Sequence, residues 1–125
     1  MSFTVRLQQR NSTSVTLILA GKIDSQAAEK LAEQIDAALT GPVHAAVFDM
    51  EGVDFIASAG VGVLIKAKAT LTRKGGDVAM INLQPQVKKV FEIIQMLPAL
   101  NVFESVRELD DYLEKIQNRI LEEGQ

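Results

Sequence analysis

Residues 44–49, His-Ala-Ala-Val-Phe-Asp, are almost wholly apolar until the last one. A strand with one wet face alternates apolar and polar residues, whereas an unbroken apolar run of this length needs cover on both faces. The run is therefore expected to be a central strand, with Asp49 at its carboxyl end. The rest of the chain must supply strands beside it and helices over it.

The flanking pattern supplies both. Phe3, Val5 and Leu7 alternate with Thr4, Arg6 and Gln8, then Asn11-Ser12-Thr13 offers turn residues, and Val15, Leu17 and Leu19 alternate again up to Gly21. That reads as an opening hairpin. From Ser25 the period becomes helical, with Ala28, Leu31, Ile35, Ala38 and Leu39 on one face and Glu29, Lys30, Glu33 and Asp36 on the other. Asp24 or Ser25 would cap this helix and Gly41-Pro42 would end it. After a loop through Gly52 and Asp54, a second helix is expected from Ser58 or Ala59 to Arg73, with Val61, Leu64, Ile65 and Leu71 buried and Lys74-Gly75-Gly76 as its stop.

Val78, Met80 and Ile81 make a further short strand. Pro85 suits the first turn of a third helix, which buries Val87, Val90, Phe91 and Ile94 and ends before Pro98. Val102-Phe103 adds a brief strand, and Leu109, Tyr112, Leu113, Ile116 and Ile120 mark a last amphipathic helix to about residue 121. The order is an α/β domain: a mixed, mostly parallel sheet of about five strands with four helices and an N-terminal hairpin. With 125 residues, one domain over 1–125 is expected, its core spanning about 3–113.

Composition excludes several functions. There is no cysteine and a single histidine, His44, which removes thiolate chemistry and any histidine-rich metal site. The acidic excess of three charges and the scattered Lys and Arg call for no nucleic acid. Lys66, Lys68, Arg73 and Lys74 on the second helix read either as a solvated face or as contacts to an acidic partner. No secretory leader and no apolar run near the roughly 20 residues of a membrane span is present, so a cytoplasmic protein with no direct membrane insertion is expected.

The stretch that joins the central strand to the second helix carries the most information: Asp49-Met-Glu-Gly-Val-Asp-Phe-Ile-Ala-Ser58-Ala-Gly-Val-Gly62. Ligands and partners dock at the carboxyl ends of strands in open α/β sheets, where helix N-termini present unpaired N–H groups. Ser58 falls at such a helix start, among Ala57, Ala59, Gly60 and Gly62, whose small side chains let another protein's surface come close. Phosphorylation there would add about −1.5 to −2 charges, tolerated by the helix dipole but not by a surface packed over it. The plainer reading makes Ser58 a helix cap and the glycines packing residues.

Gly60-Val61-Gly62 lacks the Gly-Lys-Ser/Thr of a phosphate-binding loop, and the acidic pair of a receiver domain is missing. A serine hydrolase would need His44, which the expected strand places roughly 15 to 20 Å from Ser58. No catalytic residue, metal ligand or cofactor is assigned, and the chain is read as a binding protein and not an enzyme.

This stretch resembles the signature of the STAS family, the anti-sigma factor antagonists. Asp49 matches the family's strand end and Phe55-Ile56-Ala57-Ser58-Ala59-Gly60-Val61-Gly62 matches its helix start. Leu19-Ala20-Gly21-Lys22-Ile23-Asp24 looks like the family's Gly-x-Leu/Ile-Asp turn, and Asn82-Leu83 with the Val87 to Ile94 helix looks like its later section. Ala57 departs from the family by replacing an acidic residue, and Ala59 by replacing a second hydroxyl. The resemblance implies a STAS fold and a partner-switching regulator. Unphosphorylated protein would bind an anti-sigma factor with a GHKL-type serine kinase fold through Asp24, Ala57, Ser58, Ala59, Gly60 and Gly62. The kinase would phosphorylate Ser58 and a PP2C-type phosphatase would restore it. The loss of the acid at Ala57 keeps a second use open: a STAS subunit that never carries phosphate, in a lipid-transport ATPase complex or a stress-signalling scaffold.

Overall fold

The computed structural model describes residues 3–93, 102–103, 107, 111 and 114. The elements are β1 (Thr4–Asn11), β2 (Ser14–Ile23), α1 (Ser25–Ala38), β3 (Ala45–Ile56), α2 (Ser58–Thr72), β4 (Asp77–Ile81), α3 (Pro85–Ile93) and β5 (Val102–Phe103). They form one five-stranded sheet in the order β1-β2-β3-β4-β5. β1 and β2 are the antiparallel hairpin; β2, β3, β4 and β5 run parallel. The final helix expected around Leu109 to Ile120 falls mostly outside the described residues, as do Ile94 and Pro98; Arg107, Asp111 and Glu114 are helical and exposed.

The period-2 alternation of the strands sorts the core into two layers. Leu17, Leu19, Ala46, Phe48, Met50, Val78 and Met80 belong to a large cluster with Leu31 and Ile35 of α1, Leu64 and Leu71 of α2, and Val87 and Phe91 of α3. The intervening residues Ala45, Val47, Ala79 and Ile81 form a second, smaller buried cluster. β3 and β4 are thus buried on both faces, as the unbroken apolar run at residues 44–49 requires. In β1, by contrast, only Val5 is even partly buried, because this strand is the edge of the sheet.

Four expectations are corrected: the ends of two strands, the place of Gly52 and the burial of Ile65. The central strand does not end at Asp49 but continues to Ile56. β2 likewise runs past Gly21 to Ile23, so Ala20, Gly21, Lys22 and Ile23 pair with Gly52, Val53, Phe55 and Ile56. Gly52 is therefore no loop glycine. A Cβ there would lie 2.8 Å from that of Ala20, and the missing side chain lets the irregular strands stay paired. Ile65 also departs from its expected buried stripe: α2 buries Gly60, Val61, Leu64, Ala67 and Leu71 and leaves Ile65 exposed.

Candidate partner-binding site

The extended β2–β3 pairing decides where the site lies. Ile23 and Ile56 are register partners at the carboxyl ends of these strands, and the Ala57 N–H donates to the Ile23 carbonyl at 2.8 Å. Each strand then turns directly into a helix: Ile23 into Asp24 and α1, Ile56 into Ala57 and α2. Asp24 and Ser58, 34 positions apart in sequence, are thereby set on one edge of the sheet.

The two helix starts differ. Asp24 is the N-cap of α1, in extended backbone, and its Oδ1 accepts from the Ala27 N–H at 2.8 Å. α2 has Ala57 at the N-cap, also extended, with no side-chain capping bond. Ser58 is the first helical residue rather than the cap, and its side chain is exposed. The N–H groups of Ser58 and Ala59 have no acceptor within the helix, and no acidic residue occupies the first turn.

The small residues around Ser58 divide into two kinds. Ala59 and Gly62 are exposed, and a Cβ on Gly62 would meet nothing within 4 Å. Gly60 is buried; a Cβ there would lie 2.7 Å from Ile23 Cγ2 and 2.9 Å from Ile56 Cγ1. Its small size seats α2 on the strand ends and offers nothing to a partner's surface. The packing role thus holds for Gly60, whereas the capping role does not hold for Ser58.

Beside this edge lies a feature that sequence reasoning missed. Phe55 is 46% exposed, with Lys22 Nζ 5.9 Å from its ring centroid and paired to Asp54 Oδ2 at 3.4 Å. An exposed aromatic under a cation is an apolar contact surface with a charged rim. The cross-strand pairing of Lys22 with Phe55 follows from the strand extension, and the signal was the aromatic directly after the carboxylate Asp54 in a segment read as loop.

Asp49 is not part of the edge. Its Oδ1 accepts from the Glu51 N–H at 3.1 Å and from Asn82 Nδ2 at 3.2 Å, tying the loop after β4 to mid-β3. Asn82 holds φ at 61°, the left-handed region that Asn tolerates. His44 is at the opposite end of β3, whose twelve residues, on the order of 40 Å of extended chain, lie between it and Ser58, twice the expected separation or more. Of the basic residues on α2, Lys68 Nζ is bonded to Asp77 Oδ1 at 2.7 Å, and Lys74 Nζ donates to the carbonyls of Leu39, Gly41 and Val43. Those two are structural ties, although Lys74 is exposed like Lys66 and Arg73.

The STAS domain family profile matches residues 4–109. The chain belongs to the STAS domain family. It is 29% identical over 94 residues to the anti-sigma F factor antagonist of Lysinibacillus sphaericus, an alignment covering 74% of this chain and 80% of the relative. Among solved structures it is similar to the anti-sigma factor antagonist SpoIIAA in its unphosphorylated form, at TM-score 0.78 and 25% identity over 90% of this chain and 97% of that one. The Bacillus cell fate determinant SpoIIAA in the phosphorylated form superposes at TM-score 0.69, with 24% identity over 88% and 99% of the two chains. The STAS fold accounts for the edge geometry: parallel β2 and β3 deliver two helix N-termini to one place. Among the described residues, no group of three or more His, Cys, Asp or Glu is arranged to hold a metal, and no helix is long and apolar enough to cross a membrane.

Proposed function

We propose that this STAS protein is an anti-sigma factor antagonist that docks an anti-sigma factor on the edge formed by Asp24, Ala57, Ser58, Ala59 and Gly62, and that phosphorylation of Ser58 ends the complex. The observation that carries the reading is that Ser58 is exposed at the first position of α2, with no capping bond and uncommitted N–H groups beside it. A phosphoryl group there is compatible with the fold, since the helix N-terminus favours negative charge. A protein surface laid over Ala59 and Gly62 would have to desolvate the same dianion, which costs it the complex. The names of the relatives support an anti-sigma factor as the partner, and a relative known in phosphorylated and unphosphorylated forms supports the switch. The partner is read as carrying a GHKL-type serine kinase fold, with a PP2C-type phosphatase to reverse the reaction, in the cytoplasm.

One observation favours a second reading, a STAS subunit that carries no phosphate: Ala57 offers no acid next to Ser58 for a kinase to recognise. Two measurements separate the readings. Peptide mapping of protein from its native host, in growth and under stress, gives a phosphate-sized mass increment on Ser58 if the switch operates. Affinity capture with the unmodified chain identifies the partner. Ser58→Asp then weakens its binding by about 30-fold or more at unchanged thermal stability, while Ser58→Ala binds normally. Unaltered binding by Ser58→Asp, or no phosphate on Ser58 under any condition, transfers support to the second reading.

A further inference from the structure

Lys22 fills the unspecified position of the Gly21-Lys22-Ile23-Asp24 turn, so its cation belongs to this chain and is not required by the turn. It is the register partner of Phe55, and the carbonyl of Ile23, the residue after it, accepts from the Ala57 N–H at 2.8 Å. Lys22 precedes one end of that bond and Ser58 follows the other, each by one Cα step of about 3.8 Å. The cation and the serine therefore share one strand edge although they are 36 positions apart in sequence.

The ties that hold Lys22 are weak. Its Nζ lies 3.4 Å from Asp54 Oδ2, long for an ammonium–carboxylate bond, and the two side chains are 59% and 41% exposed. Its other contact is the Phe55 ring, 5.9 Å away at the centroid. Exposed pairs of this kind give way easily, since water and salt screen them. Lys68 and Lys74 are committed in a way that Lys22 is not, each making a bond of 2.7 Å. Lys66 sits eight residues, about 12 Å along the α2 axis, beyond Ser58.

Resting on the reading of Ser58 as a phosphorylation site, we propose that Lys22 is the counter-ion of the phosphorylated serine: its ammonium leaves Asp54 and the Phe55 ring and binds the phosphoryl oxygens at the start of α2. The phosphate carries about −1.5 to −2 charges against the single charge of Asp54, and its oxygens are stronger acceptors. The helix N-terminus holds that dianion in place, and the flexible lysine stem brings the ammonium to it without moving the backbone. Asp54, whose Oδ1 is shielded from solvent and has no hydrogen-bond partner among the described residues, then loses its cation, and Phe55 loses its charged cover. Asp24, the other carboxylate of this edge, stays in the cap of α1. Phosphorylation thus changes the docking edge in two places, adding charge at Ser58 and leaving a bare carboxylate beside Phe55.

The test uses protein with phosphoserine built in at position 58 during synthesis, through a reassigned codon, so that it needs no kinase. Phosphorus NMR titration reads the second pKa of the phosphate, about 6 in a free phosphoserine. Lys22→Met should raise it by about 0.5 relative to the unaltered phosphoprotein, a roughly three-fold change in proton affinity, because the charge that favours the dianion is gone. Lys22→Arg should keep the lower value. The Phe55 ring signals should shift less on phosphorylation in Lys22→Met than in the unaltered chain, and thermal melts check that each variant is folded. Equal phosphate pKa values in the unaltered and Lys22→Met phosphoproteins overturn the proposal. Absence of phosphate from the native protein overturns instead the Ser58 reading beneath it, so the two failures are told apart.

Discussion

The two ends of the parallel strands are built in opposite ways. At the amino end of β3, almost every polar group is committed. His44 N–H donates to Thr13 O, Asp77 N–H donates to His44 O, and Gly76 N–H donates back to Leu71 O to close α2. Lys74 gathers three carbonyls from the loop after α1, and Lys68 holds Asp77. At the carboxyl end, α2 starts without a capping side chain, Ser58 is bare and Phe55 stands in solvent. Binding energy can come only from groups that folding has not already used, so the loose end is the one that can recognise a partner and the tied end is the one that keeps it in place.

The contrast breaks most visibly at Gly76. A Cβ on this residue would sit 1.5 Å from the His44 carbonyl oxygen, a backbone atom that cannot rotate away. Gly76→Ala should cost about 3 kcal/mol in urea unfolding, at the upper range for overpacking, because the turn has to separate from β3. Gly62→Ala, at the open end, meets empty space and should leave stability unchanged or slightly raised, since alanine is the better helix former. Equal losses at the two glycines would show that the open end is packed as tightly as the closed one.

A smaller effect sharpens the comparison within the open end itself. Asp24→Ala removes the only side-chain cap observed at this edge and should cost about 1 kcal/mol. Ala57→Asp should move in the other direction by up to about 1 kcal/mol, because it gives α2 the cap that α1 already has. Chemical denaturation of both variants checks the signs. If Ala57→Asp brings no gain, the N–H groups at Ser58 are already satisfied, and the case for a phosphate-accepting helix start loses its physical basis.

Much of this was legible in the sequence because it depends on local chemistry. The apolar run at 44–49, the alternation of the hairpin and the cap at Asp24 follow from residue type and spacing alone. The course of β3 did not. Glu51, Gly52 and Asp54 have the composition of a turn, and only the neighbouring β2, itself extended to Ile23, holds them in a strand. The same limit hid Phe55 and Ile65, whose exposure depends on what other elements fail to cover them. Ser58 could be placed at a helix start but not as its first residue rather than its cap, and the burial of Gly60 depends on Ile23 and Ile56, which the sheet brings from two different strands.

The smallest expected effect tests the tied end by pH. His44 is only 9% exposed and its Nδ1 has no hydrogen-bond partner; burial, with the nearby Lys74 charge adding to it, holds the imidazole below its ordinary pKa of 6.5, against an opposing backbone hydrogen bond. The folded state therefore keeps His44 neutral at a pH where the unfolded chain already binds the proton. Since stability rises with pH wherever the unfolded state holds more protons, this contribution is complete above about pH 6.5 and declines as pH falls from there to the lowered folded value. Unfolding free energies at pH 7.5 and 5.5 should differ more in the unaltered chain than in His44→Gln, which cannot titrate. The same pH difference in both would mean that the imidazole takes its proton in place, and that the closed end is more accessible to water than its packing shows.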